Sequence, residues 1–179
     1  EAIVRRSAMG TAEVMGLIVS AMSTWSDASI QTCCCLALAV LMTGESLATT
    51  RQAAVAAGAV PAIIESIHTF ERALEAYYDA GGGDGDEELA KWAMGAFSAL
   101  EALTVKRSAR EASAIPLVRQ AAADADVMPL LVRHADPLFP GGVMQMYLNQ
   151  TTMTFAGRAL CAMLDCRELR AWGERSKFW

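Results

Sequence analysis

The chain is short of basic residues and long apolar runs, and each shortage excludes a class of protein. Its 15 Lys and Arg are outnumbered by 20 Asp and Glu, which gives a formal net charge of −5. Nucleic acids and anionic membranes are usually bound by a basic face, so we expect neither as a partner. No apolar run reaches the roughly 18 to 20 residues that cross a bilayer, so we expect no membrane span.

The patterns of a metal site and of a disulfide framework are also missing. Zinc sites usually pair C-x₂-C with further Cys or His, whereas His68 and His134 stand alone in the sequence. Three of the five cysteines, Cys33 to Cys35, are adjacent, and adjacent side chains on a helix point about 100° apart. We therefore expect no metal, and we expect the cysteines to be small buried residues of a protein from a reducing intracellular compartment, the cytoplasm or an organelle interior.

No catalytic motif is visible. No Ser or Cys has a base and an orienting carboxylate at a known family spacing, and each histidine is predicted to lie near the end of a helix, where it interacts with the dipole. The glycine-rich stretch at 81–86 lacks the Lys and Ser/Thr of a P-loop and the ligand positions of a calcium loop. We therefore expect no enzymatic activity, no cofactor and no small-molecule substrate.

The composition that is present predicts helices. The chain has only five prolines, and Ala, Leu, Met, Glu and Arg dominate over the β-branched residues, so summed propensity favours an all-α fold with almost no strand. Three amphipathic segments share the pattern A-φ-x-x-φ, where φ is apolar, and they lie at 37–41, 96–100 and 159–163.

A longer internal match indicates repetition. The segment Arg51–Pro61 aligns without gaps to Arg119–Pro129 at a shift of 68 residues. A rival register aligns 58–63 with 113–118 at a shift of 55 residues. We slightly favour the first register, and the element boundaries between 106 and 134 depend on this choice.

The stretch Gly58-Ala59-Val60-Pro61-Ala62-Ile63-Ile64, with Arg51-Gln52 before it and the A-φ-x-x-φ helices around it, resembles the armadillo repeat. HEAT repeats and other α-solenoids share the same physics of stacked helix pairs. The resemblance implies a right-handed α-solenoid of about three to four armadillo-like repeats, which fits a chain of 179 residues.

We interpret the chain as a single armadillo-like domain. Its predicted segments are the end of a first repeat at 8–27, the best-formed repeat at 28–80, an exposed acidic glycine-rich loop at 81–88, a diverged repeat at 89–136 and a C-terminal helical cap at 143–179.

The family's peptide-carrying members hold an extended ligand with a ladder of asparagines, but this chain has a single asparagine, Asn149. The positions that match the ladder are Val40, Ala99 and Ala162, so we do not expect that mechanism.

The leading hypothesis is a non-catalytic protein-interaction module, a scaffold or accessory subunit of a larger complex. The alternatives are a transport adaptor without the asparagine ladder and a non-catalytic region of an enzyme or organellar assembly. The expected contacts with a protein partner are Trp25, Trp172, Phe178 and Trp179.

Overall fold

A computed structural model describes residues 12–43, 47–81, 86–105, 115–135 and 150–163. These residues form eight helices and no strand, which confirms the all-α prediction. The helices are α1 (Ala12–Thr24), α2 (Ala28–Leu41), α3 (Leu47–Ala56), α4 (Ala59–Asp79), α5 (Asp86–Thr104), α6 (Ile115–Asp124), α7 (Val127–Ala135) and α8 (Gln150–Met163).

Local signals in the sequence explain where the helices begin. Asp27 caps α2, because its carboxylate accepts a hydrogen bond of 3.1 Å from the backbone N–H of Ile30. Gly58 adopts a left-handed conformation at φ 82° between α3 and α4. Helix α4 begins at Ala59, two residues before Pro61, so the proline lies in the first turn, where its missing N–H costs nothing.

The helix boundaries follow the 68-residue register. Helices α3 and α6 are both 10 residues long, and both their first and their last residues lie 68 positions apart. Asp126 has a positive φ of 51° and occupies the position that corresponds to Gly58. The rival register would instead pair Pro61, in the first turn of the 21-residue helix α4, with Pro116, in the 10-residue helix α6.

The helices pack as neighbours in a regular order. Helix α5 lies between α2 and α8, while α1 packs against α2, α4 against α5 and α7 against α8. The short helices α3 and α6 contact each other and precede α4 and α7. Apolar side chains from all eight helices form one continuous core, whose largest fully buried apolar members include Trp92, Phe70, Phe97, Met15, Leu38 and Ile63.

An arginine recurs at equivalent positions of α3 and α6, fully buried in the first helix and half-buried in the second. Arg51 of α3 is fully buried, and its Nη2 donates hydrogen bonds to the carbonyl oxygens of Ala102, at 2.9 Å, and Val105, at the end of α5. Arg119 of α6 donates in the same way to the carbonyl oxygen of Ala162, at 3.1 Å, near the end of α8. The last carbonyls of a helix lack hydrogen-bond donors within the helix and carry partial negative charge. A guanidinium group supplies both the donors and a positive charge.

No single helix of the described segments is long and apolar enough to cross a membrane. Residues Thr49–Ala56 and helix α4 meet the length and composition criteria only when they are taken together, and they are bent by 64° at the break between them.

We predict that Arg51→Met lowers the free energy of unfolding by about 3 kcal/mol, because a buried and a half-buried carbonyl oxygen at the end of α5 lose their donor. Arg72→Met is the matched control, since the Arg72 side chain is exposed and its pair with Glu65 is on the surface. The control should change stability by less than about 1 kcal/mol. Urea unfolding monitored by circular dichroism measures both values, and equal losses in the two variants would contradict the assigned role of Arg51.

We also predict opposite effects for two Gly→Ala substitutions. Gly58→Ala places a Cβ on a left-handed residue and should destabilise the chain by about 1 kcal/mol. Gly16→Ala lies inside α1 with no atom within 4 Å of the added Cβ, and it should stabilise the chain by about 0.5 to 1 kcal/mol. The midpoint temperature of thermal unfolding should therefore fall for Gly58→Ala and rise for Gly16→Ala.

Candidate functional site

Helix α2 packs against α5, which packs in turn against α8. Helix α2 contributes a stripe of exposed positions at Ser29, Cys33, Leu36 and Val40, which repeat at the spacing of one helical face. Two of these side chains are large and apolar, with 38% of Leu36 and 51% of Val40 exposed. Leu36 and Val40 lie one turn apart, so the stripe exposes two neighbouring apolar side chains.

Helices α2 and α5 approach closely beside this stripe. A Cβ added to Gly95 of α5 would lie 3.4 Å from the carbonyl oxygen of Thr32 and 3.6 Å from the Leu36 side chain. About one turn before Thr32 in α2, the Ser29 hydroxyl donates a hydrogen bond to the Glu88 carboxylate. The small residue and the hydrogen bond hold α2 against α5, and therefore fix the position of the stripe.

Exposed apolar side chains are concentrated in the first two helices. In the described part of the chain the large exposed ones are Leu17, Trp25, Leu36, Val40 and Leu117, and all except Leu117 belong to α1, α2 or the connection between them. Trp25 was predicted to contact a partner, and 57% of it is exposed. The other predicted contacts, Trp172, Phe178 and Trp179, lie outside the described residues.

Trp92 differs from Trp25, because it belongs to the core. Its indole N–H donates a buried hydrogen bond of 2.9 Å to the Ser66 hydroxyl, and its ring meets the ring of Phe70 edge-on at 6.0 Å between centroids. An indole that is buried with its N–H satisfied stabilises the packing of α4 on α5.

The expectation that the cysteines are buried is wrong for two of them. Cys35 is buried, Cys34 is half-buried, and Cys33 and Cys161 are exposed. Neighbouring side chains on a helix point in different directions, so only one of the three adjacent cysteines can face the core. Cys166 lies outside the described residues.

The environment of Cys35 suppresses ionisation of its thiol. Burial is the main reason that the pKa of Cys35 is raised to about 12; a hydrogen bond with Ser66 opposes this shift, and the nearby Cys34 adds a smaller increase. The thiolate is the reactive form of cysteine, so Cys35 is inert at neutral pH.

The two histidines share one carboxylate. Glu71 of α4 lies 3.0 Å from Nδ1 of His68 through Oε2 and 3.0 Å from Nε2 of His134 through Oε1. An ionised carboxylate only accepts hydrogen bonds, so each of these ring nitrogens is assigned the proton that it donates. The predicted helix-end position is correct for His134, in the last turn of α7, and wrong for His68, which lies in the middle of α4.

The two histidines that Glu71 joins differ in exposure, because the His68 side chain is 41% exposed and His134 is buried. The His134 side chain is 1% exposed, and its ring packs against Phe97 of α5 with centroids 4.7 Å apart. The contact between His134 and Glu71 is therefore a buried polar link between α4 and α7. Sequence reasoning missed this link because Glu71 and His134 are 63 residues apart.

A cleft of about 750 Å³ lies between the end of α5 and the second half of α8. Arg119 of α6 also lines it. Its polar lining includes Glu101 and Thr104 from α5 and Arg158 and Cys161 from α8. Among the described residues, no group of three or more His, Cys, Asp and Glu is placed to hold a metal ion.

Comparisons of the chain with protein-family models, curated proteins and solved structures found no match. The interpretation of its function therefore depends on its own residues and their geometry.

We predict that the cysteines differ sharply in alkylation. At pH 8, iodoacetamide should modify Cys33 and Cys161 in the folded chain and leave Cys35 unmodified, because the Cys35 thiol is buried and its pKa is about 12. Unfolding in urea should make all three react. Peptide mass spectrometry measures the modification, and rapid alkylation of Cys35 in the folded chain would contradict the assigned packing of α2.

Proposed function

We propose that this chain is a non-catalytic protein-interaction module, an α-solenoid of armadillo-like repeats that serves as a scaffold or accessory subunit of a larger complex. The observation that carries the proposal is the exposed apolar pair Leu36 and Val40 on the stripe of α2, together with the exposed Trp25 in the connection before this helix. Exposed apolar patches on a well-packed scaffold are typical of protein interfaces.

The recurrence of structural details supports the repeat architecture. The series α3, α4, α5 and the series α6, α7, α8 share helix order, a left-handed residue between their first two helices, and an arginine that donates to the end of the third helix. In each series the third helix packs on the third helix of its neighbour, α5 on α2 and α8 on α5. Stacking of this kind buries a continuous core and leaves one helix of each unit along a shared face.

The burial of the middle helix disfavours the asparagine-ladder mode of peptide binding. The three matching positions are Val40, Ala99 and Ala162, and Ala99 is fully buried. No side chain at that position could reach a ligand, so the ladder would be broken at its centre. The stripe on α2 is apolar, and it fits a partner that presents an apolar surface, such as one face of an amphipathic helix.

The proposal predicts that a partner copurifies with the tagged chain and that binding depends on the stripe. Leu36→Glu and Val40→Glu should each weaken capture of the same partner at least tenfold, because a charge would be buried in an apolar interface. Leu117→Glu is the matched control, since Leu117 is 48% exposed but lies on α6, away from the stripe. Quantitative mass spectrometry of the captured material gives the binding ratio for each variant.

The proposal would fail if capture were unaffected by both stripe substitutions, or if Leu117→Glu reduced it equally. It would also fail if the chain purified alone and turned over a substrate in a manner lost on His68→Ala or His134→Ala. Circular dichroism of each variant confirms that a lost contact reflects the surface and not the fold.

A further inference from the structure

The cleft between α5 and α8 contains charges of both signs close to a free thiol. Glu101 and Thr104 lie one turn apart on α5, and Arg158 and Cys161 lie one turn apart on α8, so each pair projects from one side of its helix. Arg119 of α6 is a further charged residue that lines the cleft.

The charged groups of the cleft are incompletely satisfied. The Glu101 side chain is only 10% exposed, and its carboxylate lies 3.6 Å from Nη1 of Arg158, which is beyond hydrogen-bond length. The surface ion pairs Lys91–Glu87 and Arg72–Glu65 are much closer, at 2.7 and 2.8 Å. A buried carboxylate gains more from a close donor than an exposed one, so Glu101 retains capacity for another cation.

Two further residues, Arg119 and Thr104, contribute polar groups to the lining of the cleft. The Nε of Arg119 is buried without a hydrogen-bond partner among the described residues. The Thr104 hydroxyl donates its proton to the Leu100 carbonyl at 2.9 Å, so towards a ligand it can only accept. The cleft therefore offers acceptors for an ammonium group, guanidinium donors for carboxylates, and the exposed thiol of Cys161.

We propose that the cleft binds a zwitterionic peptide thiol of the glutathione type and that Cys161 forms a mixed disulfide with it. Such a peptide has an ammonium group beside a carboxylate, which matches the adjacent Glu101 and Arg158, and a second carboxylate suited to Arg119. The proposal goes beyond the interaction role and does not depend on it.

The reaction is a thiol–disulfide exchange. The thiolate Sγ of Cys161 attacks one sulfur of the peptide disulfide, a new Sγ–S bond forms, and the original S–S bond breaks. The second peptide leaves as a thiolate and takes up the proton that Cys161 lost. Cys161 is oxidised, and the departing peptide is reduced.

The exposed thiol of Cys33 provides an internal reference in the same molecule. The test uses the full chain with Cys34→Ala and Cys166→Ala, so that each proteolytic peptide carries one exposed thiol. Oxidised glutathione and the uncharged bis(2-hydroxyethyl) disulfide are the two probes, and mass spectrometry follows the modification of Cys161 and Cys33 with time.

We expect the rate ratio of Cys161 to Cys33 to be about tenfold higher with oxidised glutathione than with the uncharged disulfide, because two or three ion pairs orient the charged probe. Arg158→Gln should bring the two ratios together, and Glu101→Gln should do so in part. Equal ratios for the two probes on the parent chain would overturn the proposal. A preference for glutathione that persists in Arg158→Gln would also overturn it. If a variant fails to fold, the comparison of the two probes on the parent chain still tests the proposal.

Discussion

The packing of α5 between α2 and α8 is the constraint on which the other features depend. Helix α5 is buried along most of its length, with Ala96, Phe97, Ala99 and Leu100 removed from solvent. Its small residues allow neighbouring backbones to approach, as Gly95 does beneath α2. The guanidinium of Arg51 then closes the far end of α5, where the last carbonyls would otherwise be buried without donors. The stripe, the histidine link and the cleft are all positioned by this central helix.

Much of the helical framework can be read from the sequence, because it is encoded locally. Gly58 and Pro61 indicate where α4 begins. The Arg-Gln dipeptides at 51 and 119 lie in two helices of equal length, α3 and α6. The exposure of individual side chains is harder to predict. The run Cys33 to Cys35 looks uniformly apolar, yet the orientation of α2 on α5 decides that Cys35 is buried and Cys33 is not.

The long-range polar contacts could not be predicted, because they join residues that are distant in the chain. Glu71 meets His134 across 63 positions, and Arg51 meets the Val105 carbonyl across 54. Neither spacing is a motif, and both depend on how one helix is placed against another. The sequence signal at Arg51 and Arg119 was visible as repetition, but its role as a donor to a helix end required the fold. Similarly, Glu101 and Arg158 look like ordinary surface charges until α5 and α8 bring them together at the cleft.

The functional account combines a set of packed helices with one exposed stripe on α2, and binding at this stripe is its most direct test. Hydrogen–deuterium exchange of the full chain, alone and with its copurified partner, measures which backbone amides the partner protects. The account predicts added protection across Trp25 and α2, and none across α6, which carries the isolated exposed Leu117. Unchanged exchange across Trp25 and α2, with protection elsewhere, would contradict the claim that this surface binds the partner.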